Sequence, residues 1–393
     1  MKRPICFFVH HQGRGHAARC RAIIARLAND RPVSVATADP SLFDDFDRPI
    51  ELIELPNMIG AEVPSPALYT YPTPDTMHCV PLGLTEMRVT MRRILDHLDD
   101  RNVGLFVIDV SAELAQLARI ASVPAVKVRM HGTRGDPGHE AAYQACVGML
   151  APYDQRLEQP DYADWARAKT FYSGGLCTHD DSAPSQCDAR ARLGLPADQE
   201  IVVAMAGGGG RGMAYAPLTV AARAAPNTLF VTIGPLHREG HETDFANLIN
   251  HGWVTRPIDY IAAADIVIAS AGDNTVAEIA KVGRPYICMP EWRYFDEQTI
   301  KAERLAALGA ALHVEHPPGD LYGWQTLLTA ARDLDIDYLT GLYEPRAASA
   351  AAEWLETLTD RLWQDVSNPN AHEAIVDIEA HRVARVSDPG PPR

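Results

Sequence analysis

The stretch that decides the fold reads Ser-Ala-Gly-Asp-Asn-Thr-Val-Ala-Glu and spans Ser270 to Glu278. It follows the apolar run 266–269, whose β-branched residues indicate a buried parallel strand. A short turn then leads into a helix predicted from Val276 to about Val282, for which Asn274 or Thr275 is the expected cap. Because a helix N-terminus presents unpaired N–H groups and the positive end of its dipole, this turn predicts an anion site, such as one for a diphosphate.

Glu278 completes the pattern. One turn into the helix, its carboxylate is suited to accept hydrogen bonds from two ribose hydroxyls next to a bound diphosphate. The stretch therefore predicts a nucleotide site. The same arrangement also occurs in folds that bind nothing, where Gly272 only permits a tight turn and Glu278 is a solvated acid, and these nine residues alone do not separate the two interpretations.

Composition limits the class of protein. A chain of 393 residues exceeds the usual size of one core, so two domains are expected. With 47% hydrophobic and 22% charged residues the chain is typical of a globular protein. Its net charge of −15 argues against a surface that follows the phosphates of DNA or RNA, so nucleic acid is not expected as a partner.

Cysteine usage and hydropathy predict a cytoplasmic location, with peripheral association with the membrane as an alternative. The seven cysteines are scattered and include no Cys-x-x-Cys pair, so we expect neither a disulfide framework nor a zinc site. The apolar run after Met1 is too short for a signal peptide, and no stretch reaches the length of a transmembrane segment.

The first half opens as a β-α-β unit. Strand 5–9, helix 17–27 and strand 33–37 enclose a Gly13-x-Gly15-x-x-Ala18 pattern that matches the dinucleotide fingerprint, with Asp39 downstream as a ribose acid. Against that match, the imidazole of His16 falls where a pyrophosphate would pack. A nicotinamide or flavin enzyme is therefore the minority alternative.

His16 also suggests a catalytic pair. The buried strand 105–108 ends in Asp109, and side chains that follow parallel strands meet at one edge of the sheet. An imidazole oriented by a carboxylate is the simplest general base near neutral pH, although a histidine after a strand can also be a helix cap or a solvated residue. The proline-rich segment 56–81, which contains Tyr69 and Tyr71, predicts a long loop that lines a binding site, or a covering flap without a chemical role. His131 follows the predicted strand 125–130.

A second α/β unit begins at strand 201–206. It is followed by Gly207-Gly208-Gly209-Gly210-Arg211-Gly212, in which backbone N–H groups can close on phosphate oxygens and Arg211 can add charge. The alternative is that this glycine run is a flexible hinge. Its position between a strand and a helix disfavours that alternative.

With these residues in place, the second half resembles the nucleotide-sugar glycosyltransferases of the GT-B fold, particularly family 28 and the UDP-glycosyltransferases. Ser270, Gly272, Asn274, Thr275 and Glu278 fall in register with the family motif. The later run Asp296-Glu297-Gln298 is similar to the family's acid-Gln pair, although Lys301 stands where asparagine is frequent. The first half is similar more loosely, through the glycine-histidine loop and Asp109. The resemblance covers about residues 4 to 312.

The resemblance implies an α/β fold of two Rossmann-like domains that face each other across a cleft, with a C-terminal helix that crosses back to the first domain. The predicted divisions are an N-terminal domain at 1–173, a linker at 174–198, a donor domain at 199–345, a crossover helix at 346–366 and a disordered tail at 367–393.

It also implies inverting, metal-independent transfer of a sugar from a UDP-sugar to an acceptor hydroxyl, without a cofactor, with His16 as base and Asp109 as its support. The nucleotide-sugar donor is the implied partner, and the acceptor stays open between a small molecule and a lipid-linked one. Tyr69, Tyr71 and His131 are the acceptor-side candidates. The implied ligands are Gly15, Gly207, Gly208, Gly209, Gly210, Arg211, Gly272, Asp273, Asn274 and Thr275 for diphosphate, Val254, Ser270 and Glu278 for ribose and base, and Asp296, Glu297 and Gln298 for sugar.

Two alternatives stay open. The motif Gly-x-Gly-His-x-x-Arg-Cys, from Gly13 to Cys20, also resembles the nucleotide-sugar hydrolases of nonulosonate synthesis, which share the fold but transfer to water. A catalytically inert partner protein that only holds a nucleotide is the other alternative.

Overall fold

The computed structural model describes residues 2–12, 14–177, 182–207 and 212–364. Within these ranges the chain forms two successive parallel α/β units. The predicted diphosphate residues Gly208, Gly209, Gly210 and Arg211 lie outside the described residues, as do Gly13 and the predicted tail at 367–393.

The first unit has a seven-stranded parallel sheet in the order β3-β2-β1-β4-β5-β6-β7. Its strands are β1 Ile5–Phe8, β2 Val33–Thr37, β3 Glu51–Glu54, β4 Leu105–Ile108, β5 Ala125–Val128, β6 Gly148–Ala151 and β7 Thr170–Tyr172. Its helices are α1 Arg14–Ile24, α2 Thr85–Asp100, α3 Ala112–Ile120, α4 Pro137–Ala145 and α5 Asp164–Ala168.

The second unit has a six-stranded parallel sheet in the order β12-β10-β8-β13-β14-β15, beside a two-stranded β9–β11 pair. The strands are β8 Ile201–Met205, β9 Met213–Ala214, β10 Leu229–Ile233, β11 Leu236–His237, β12 Leu248–Gly252, β13 Ile266–Ala269, β14 Tyr286–Cys288 and β15 Leu312–His313. The helices are α6 Gln186–Leu193, α7 Tyr215–Ala224, α8 Pro257–Ala263, α9 Asp273–Val282, α10 Glu297–Ala307, α11 Leu321–Arg332 and α12 Asp337–Thr340.

Each sheet has one point where the order of its strands reverses. In the first sheet this point lies between β1 and β4, where Phe8 pairs with Ile108. In the second it lies between β8 and β13, where Met205 pairs with Ala269. Connections leave such a point to opposite faces of the sheet and open a crevice at the carboxyl ends of the strands, so ligand sites are expected there.

Both sheets are covered on both faces, which explains the uninterrupted apolar strands. Successive side chains of β1 enter different cores, Phe7 with the helices on one face and Phe8 with those on the other. The second sheet divides in the same way, with Val203 in one core and Val202 in the other.

The last helix, α13 Ala347–Leu362, crosses back to the first domain, as expected. Its buried residues Ala351 and Leu355 join Ile23 and Leu27 in one core. Arg31, whose side chain is fully buried, extends this contact with a 2.7 Å ion pair to Asp360. The expected fold class of two facing α/β domains is therefore confirmed.

Several short elements were not predicted from the sequence. Strands β3, β6, β7 and β15 have no more than four residues each, too few to show a period of two. Helix α6 lies in the predicted linker but packs on the second domain, where Arg190 forms a 2.7 Å ion pair with Asp265. In the described part of the chain, no helix has both the length and the apolar character needed to cross a membrane.

The contact of α13 with the first domain generates a prediction. Leu355→Ala should lower the free energy of unfolding of the first domain by roughly 2–5 kcal/mol, because it leaves a cavity in a closed core. The matched control is Leu362→Ala on the same helix, where the side chain is 36% exposed and the loss should stay under about 1 kcal/mol. Denaturant titrations of both variants, followed by circular dichroism, make the comparison. Equal losses would contradict a packed crossover helix.

Candidate functional site in the interdomain cleft

The two residues expected to form a catalytic pair lie together in the structure. Asp109 directly follows β4, and His16 lies in the first turn of α1 after β1, so both lie at the point of strand reversal. The Nδ1 of His16 is 2.6 Å from the Oδ2 of Asp109. The Asp109 side chain is buried, whereas that of His16 is 22% exposed. Since Nδ1 faces the carboxylate, Nε2 is the nitrogen left for another molecule.

Arg19, the arginine of the motif from Gly13 to Cys20, joins this pair, although no role was predicted for it. Its Nη2 contacts the Oδ1 of Asp109 and lies 3.1 Å from the Nδ1 of His16. Its Nη1 lies 3.1 Å from the Oδ2 of Asp273 in the second domain. The guanidinium is thus buried between one carboxylate of each domain. A signal was available, because Arg19 is three residues after His16 and so shares its face of the helix.

Asp273 opens helix α9 and is held by two cations. Lys301 of α10 contacts its Oδ1, and Arg19 contacts its Oδ2. Burial would raise the pKa of this carboxyl, but Lys301 and Arg19 hold it below the ordinary value. In the same way, Arg19 and His16 hold the pKa of Asp109 far below its ordinary value against the effect of burial. Because the carboxylate of Asp273 is already paired, only the backbone of this residue is a candidate for the predicted diphosphate contact.

The N-terminus of α9 differs from the expectation. The residue at the N-cap position is Gly272, with φ −66° and ψ 143°, while Asn274 and Thr275 lie inside the first turn. The expected cap was misplaced because the apolar pattern begins at Val276, one turn after the helix does. Glycine offers no side-chain acceptor, so the first N–H groups of α9 gain no side-chain cap from the residue at that position.

At three of the predicted diphosphate residues, neither the backbone conformation nor the packing of the fold requires glycine. Gly15, Gly207 and Gly272 do not have the positive φ that favours glycine. A Cβ at Gly15 or Gly207 would meet no atom of the described residues within 4 Å, and one at Gly272 would come no closer than 3.6 Å to Thr275. The tight-turn explanation of Gly272 is therefore wrong. Close approach of another molecule to the backbone would explain all three.

The predicted ribose and base residues line the same end of the second sheet. Glu278 is 3% exposed in the second turn of α9, so the alternative of a solvated acid is also wrong. Ser270 is buried, and its carbonyl accepts a hydrogen bond from the Tyr286 hydroxyl. Val254 is partly buried against the core of the second domain. The neighbouring Trp253 is 54% exposed, with the guanidinium of Arg14 5.3 Å from its ring centre.

The predicted sugar-binding run lies where the two domains touch. Phe295 and Asp296 have left-handed backbones, with φ of 65° and 54°, a conformation that is costly for residues with a Cβ and is common at ligand sites. The Phe295 carbonyl accepts a hydrogen bond from the N–H of Thr133 across the domain junction. Asp296 is exposed.

The other two residues of this run have partners. Glu297 forms a 2.9 Å ion pair with Arg134 of the first domain. Gln298 is buried, and its Oε1 accepts a hydrogen bond from the backbone N–H of Glu291. Of the three predicted sugar contacts, Asp296 is therefore the one whose side chain faces solvent.

The acceptor-side candidates do not converge. His131 is fully buried, and its Nε2 lies 2.7 Å from the Leu157 carbonyl. Burial lowers the pKa of His131 well below its ordinary value. The expectation that His131 faces an acceptor is wrong, because the chain folds over it after β5. Tyr69 and Tyr71, on the proline-rich segment, are 66% and 68% exposed.

Comparison with known proteins bears on this site. Residues 222–317 match the family model of the glycosyltransferase family 28 C-terminal domain. Over these residues the second domain is similar to the C-terminal domain of family 28 glycosyltransferases. The family 28 match includes Val254, β13, α9 and the run 296–298. The resemblance found in the sequence is confirmed for this domain.

Curated relatives match over part of the chain. A protein of Paenarthrobacter aurescens named UDP-N-acetylglucosamine--N-acetylmuramyl-(pentapeptide) pyrophosphoryl-undecaprenol N-acetylglucosamine transferase is 32% identical over 147 residues, which are 34% of this chain and 38% of that protein. A protein of Rhodococcus jostii with the same name is 28% identical over 164 residues, 39% of this chain and 42% of that protein. The chain thus spans about two fifths of the length of these relatives.

Solved structures extend the similarity of fold to both domains. A spinosyn rhamnosyltransferase complexed with thymidine diphosphate has a TM-score of 0.59 at 17% identity, over 90% of this chain and 99% of that one. The MurG protein of Acinetobacter baumannii has a TM-score of 0.59 at 14% identity, over 91% and 100%. The chain therefore has the GT-B fold.

The buried charges of the cleft generate a prediction. Arg19→Met should lower the free energy of unfolding by roughly 3–5 kcal/mol at pH 7, because it leaves Asp109 and Asp273 short of a buried cation. In the wild type these lowered pKa values keep both carboxyls charged, and stabilising, down past the unfolded pKa of about 3.9. In the variant, Arg19 no longer offsets the effect of burial, so the pKa values of Asp109 and Asp273 rise. As the pH falls, these carboxyls then take up protons, which removes the unpaired buried charge. The loss should therefore shrink between pH 7 and pH 5.

The control is Arg21→Met on the same helix, whose partner Asp45 is exposed. We expect little change in stability at either pH, because a surface pair contributes little. Denaturant midpoints at pH 7 and pH 5 give the readout. An Arg19→Met loss that is small, or that does not vary with pH, would contradict a buried bridge.

Proposed function

We propose that this protein transfers a sugar from a UDP-sugar to an acceptor hydroxyl, with inversion and without a metal at the diphosphate. The observation that supports the proposal best is the arrangement across the cleft. A histidine–carboxylate pair on the first domain is joined through Arg19 to the N-terminus of α9 on the second. The proposed base and the proposed anion site thus lie on two sides of one buried guanidinium.

In the proposed reaction, Nε2 of His16 takes the proton of the acceptor hydroxyl as its oxygen attacks the anomeric carbon. The new bond forms as the bond from that carbon to the diphosphate oxygen breaks, and UDP leaves with the electron pair. Attack opposite the leaving group inverts the carbon. The buried carboxylate of Asp109 fixes the tautomer of His16 through Nδ1 and stabilises the imidazolium that forms.

Charge on the leaving diphosphate needs preorganised positive groups. The first N–H groups of α9, beside the bare backbone of Gly15, Gly207 and Gly272, would supply hydrogen bonds and the helix dipole. Lys301 and Arg19 would offset the negative charge of the Asp273 carboxylate at the start of that helix, so that it does not repel the diphosphate. These groups offer a source of stabilisation that does not call for a metal.

The relatives favour a UDP-sugar as donor. The curated relatives are named as transferases of N-acetylglucosamine from its UDP derivative. Their names also specify a lipid-linked acceptor, so a lipid-linked hydroxyl, reached from the membrane surface, is the first acceptor to test. A nucleotide-sugar hydrolase is the second candidate, since water could take the acceptor's place beside His16 in the same geometry.

The base generates one prediction. His16→Ala should lower turnover by roughly 10²–10⁴-fold while UDP binding survives, because the base contacts the acceptor and not the nucleotide. Asp109→Asn should lower turnover less, since it disturbs only the support of the imidazole. His251→Ala, an exposed histidine on the second domain, is the control and should keep full activity.

Initial rates with donor sugar, measured with and without acceptors, separate the candidates. Rapid release of free sugar that no acceptor changes would favour the hydrolase. Normal transfer by His16→Ala would exclude His16 as the base in either reaction.

The ribose contact generates a second prediction. Glu278→Ala should weaken UDP binding by roughly 1–3 kcal/mol, through loss of charge-assisted hydrogen bonds. Glu303→Ala, on the exposed side of α10, should leave binding unchanged. Calorimetric titration of both variants with UDP, dTDP, GDP and NAD gives the affinities. Unchanged UDP affinity in folded Glu278→Ala would remove this residue from the site, and binding of NAD without UDP would favour the oxidoreductase.

A further inference from the structure

We propose that His78, Asp136 and His139 form a binding site for a divalent transition metal of the Zn²⁺ class. One ligand atom from each of the three residues lies within 4.8 Å of the other two. Two imidazoles and a carboxylate are a donor set that zinc binds well. In a tetrahedral zinc site with bonds of about 2.0–2.2 Å, ligand atoms lie about 3.3 Å from one another, so closure takes side-chain shifts of about 1 Å or a little more.

Two of the three residues are fixed by the start of helix α4. Asp136 caps this helix, with Oδ1 accepting a hydrogen bond from the N–H of His139. Its Oδ2 lies 2.5 Å from the Nδ1 of His139, whose side chain is almost fully buried. The cap therefore places a carboxylate and an imidazole together before any metal arrives.

The third residue comes from the proline-rich segment, which is held against the same helix. The backbones touch there, since a Cβ at Gly138 would lie 2.7 Å from the backbone nitrogen of His78. Gln116 donates to the carbonyls of both Thr76 and Gly138, and so ties the segment to the start of α4. The two imidazole rings, His78 and His139, have centres 4.4 Å apart. Because the three side chains are already held near one another, metal binding has to order little of the chain, and a preorganised site binds more tightly.

The location gives the metal a structural role outside the proposed reaction. The ring of Phe295, from the second domain, lies 5.3 Å from that of His78 and 5.0 Å from that of His139. Phe295 directly precedes Asp296 in the predicted sugar-binding run. A bound metal would therefore clamp the segment around His78 to α4, beside the junction of the domains, and would stabilise the folded protein by binding to it alone.

The test uses the full chain after removal of metal with a chelator. Isothermal titration with ZnCl₂ should show one bound ion per chain, and thermal unfolding should show a rise in Tm that MgCl₂ does not give. His78→Ala should bind at least tenfold more weakly and lose the rise in Tm. Asp136→Asn should do the same, and its amide oxygen keeps the helix cap, so loss of binding cannot be ascribed to loss of α4. His241→Ala, an exposed histidine of the second domain, is the control and should bind as the wild type does.

Either of two results would overturn the proposal. No stoichiometric binding by the wild type, with Tm unchanged by zinc, would make the three residues a packing contact only. Binding that His78→Ala keeps and His10→Ala loses would place the ion on the separate cluster of His10, His11 and His16 instead. Neither result depends on glycosyl transfer, so the metal site and the proposed function can fail separately.

Discussion

The arrangement of the cleft depends on one buried guanidinium. Arg19 lies between Asp109 on the first domain and Asp273 on the second, and a buried charge is tolerated only when it is paired. The pairing is mutual, because each carboxylate is charged in the interior only while a cation is next to it. The same guanidinium therefore supports the carboxylate that orients His16, offsets the charge at the start of α9 and links the two domains.

Much of the fold followed from local patterns because those patterns have local causes. Runs such as Leu105–Ile108 and Ile266–Ala269 are apolar throughout, as strands covered on both faces must be. Once strands and helices alternate, topology fixes the sheet edge at which Asp109 lies in the first domain and the sheet edge at which Gly272 lies in the second. The prediction that His16 lies beside Asp109 succeeded for this reason, without any knowledge of side-chain geometry.

What the sequence did not reveal depends on contacts between distant segments. Lys301 was noted only as a departure from the family motif, and its pairing with Asp273 is a tertiary fact. His131 follows a strand as His16 does, yet the chain at Leu157 covers it. The left-handed backbone at Phe295 could not be predicted, because no glycine or asparagine marks the position. The hydrogen bond that the Phe295 carbonyl accepts comes from Thr133 of the first domain, which is distant in sequence.

The return of α13 to the first domain has a consequence for the order in which the chain is made. Leu355 and Ala351 complete a core whose other members, such as Ile23, lie more than three hundred residues earlier. During synthesis the first domain leaves the ribosome with that apolar surface uncovered, while the whole second domain is still to be translated. The second domain can close its own core first, and the first domain becomes complete only when the last helix emerges. Truncated or stalled chains would therefore expose an apolar surface on a domain whose strands are all present, and we expect a chaperone to bind such chains.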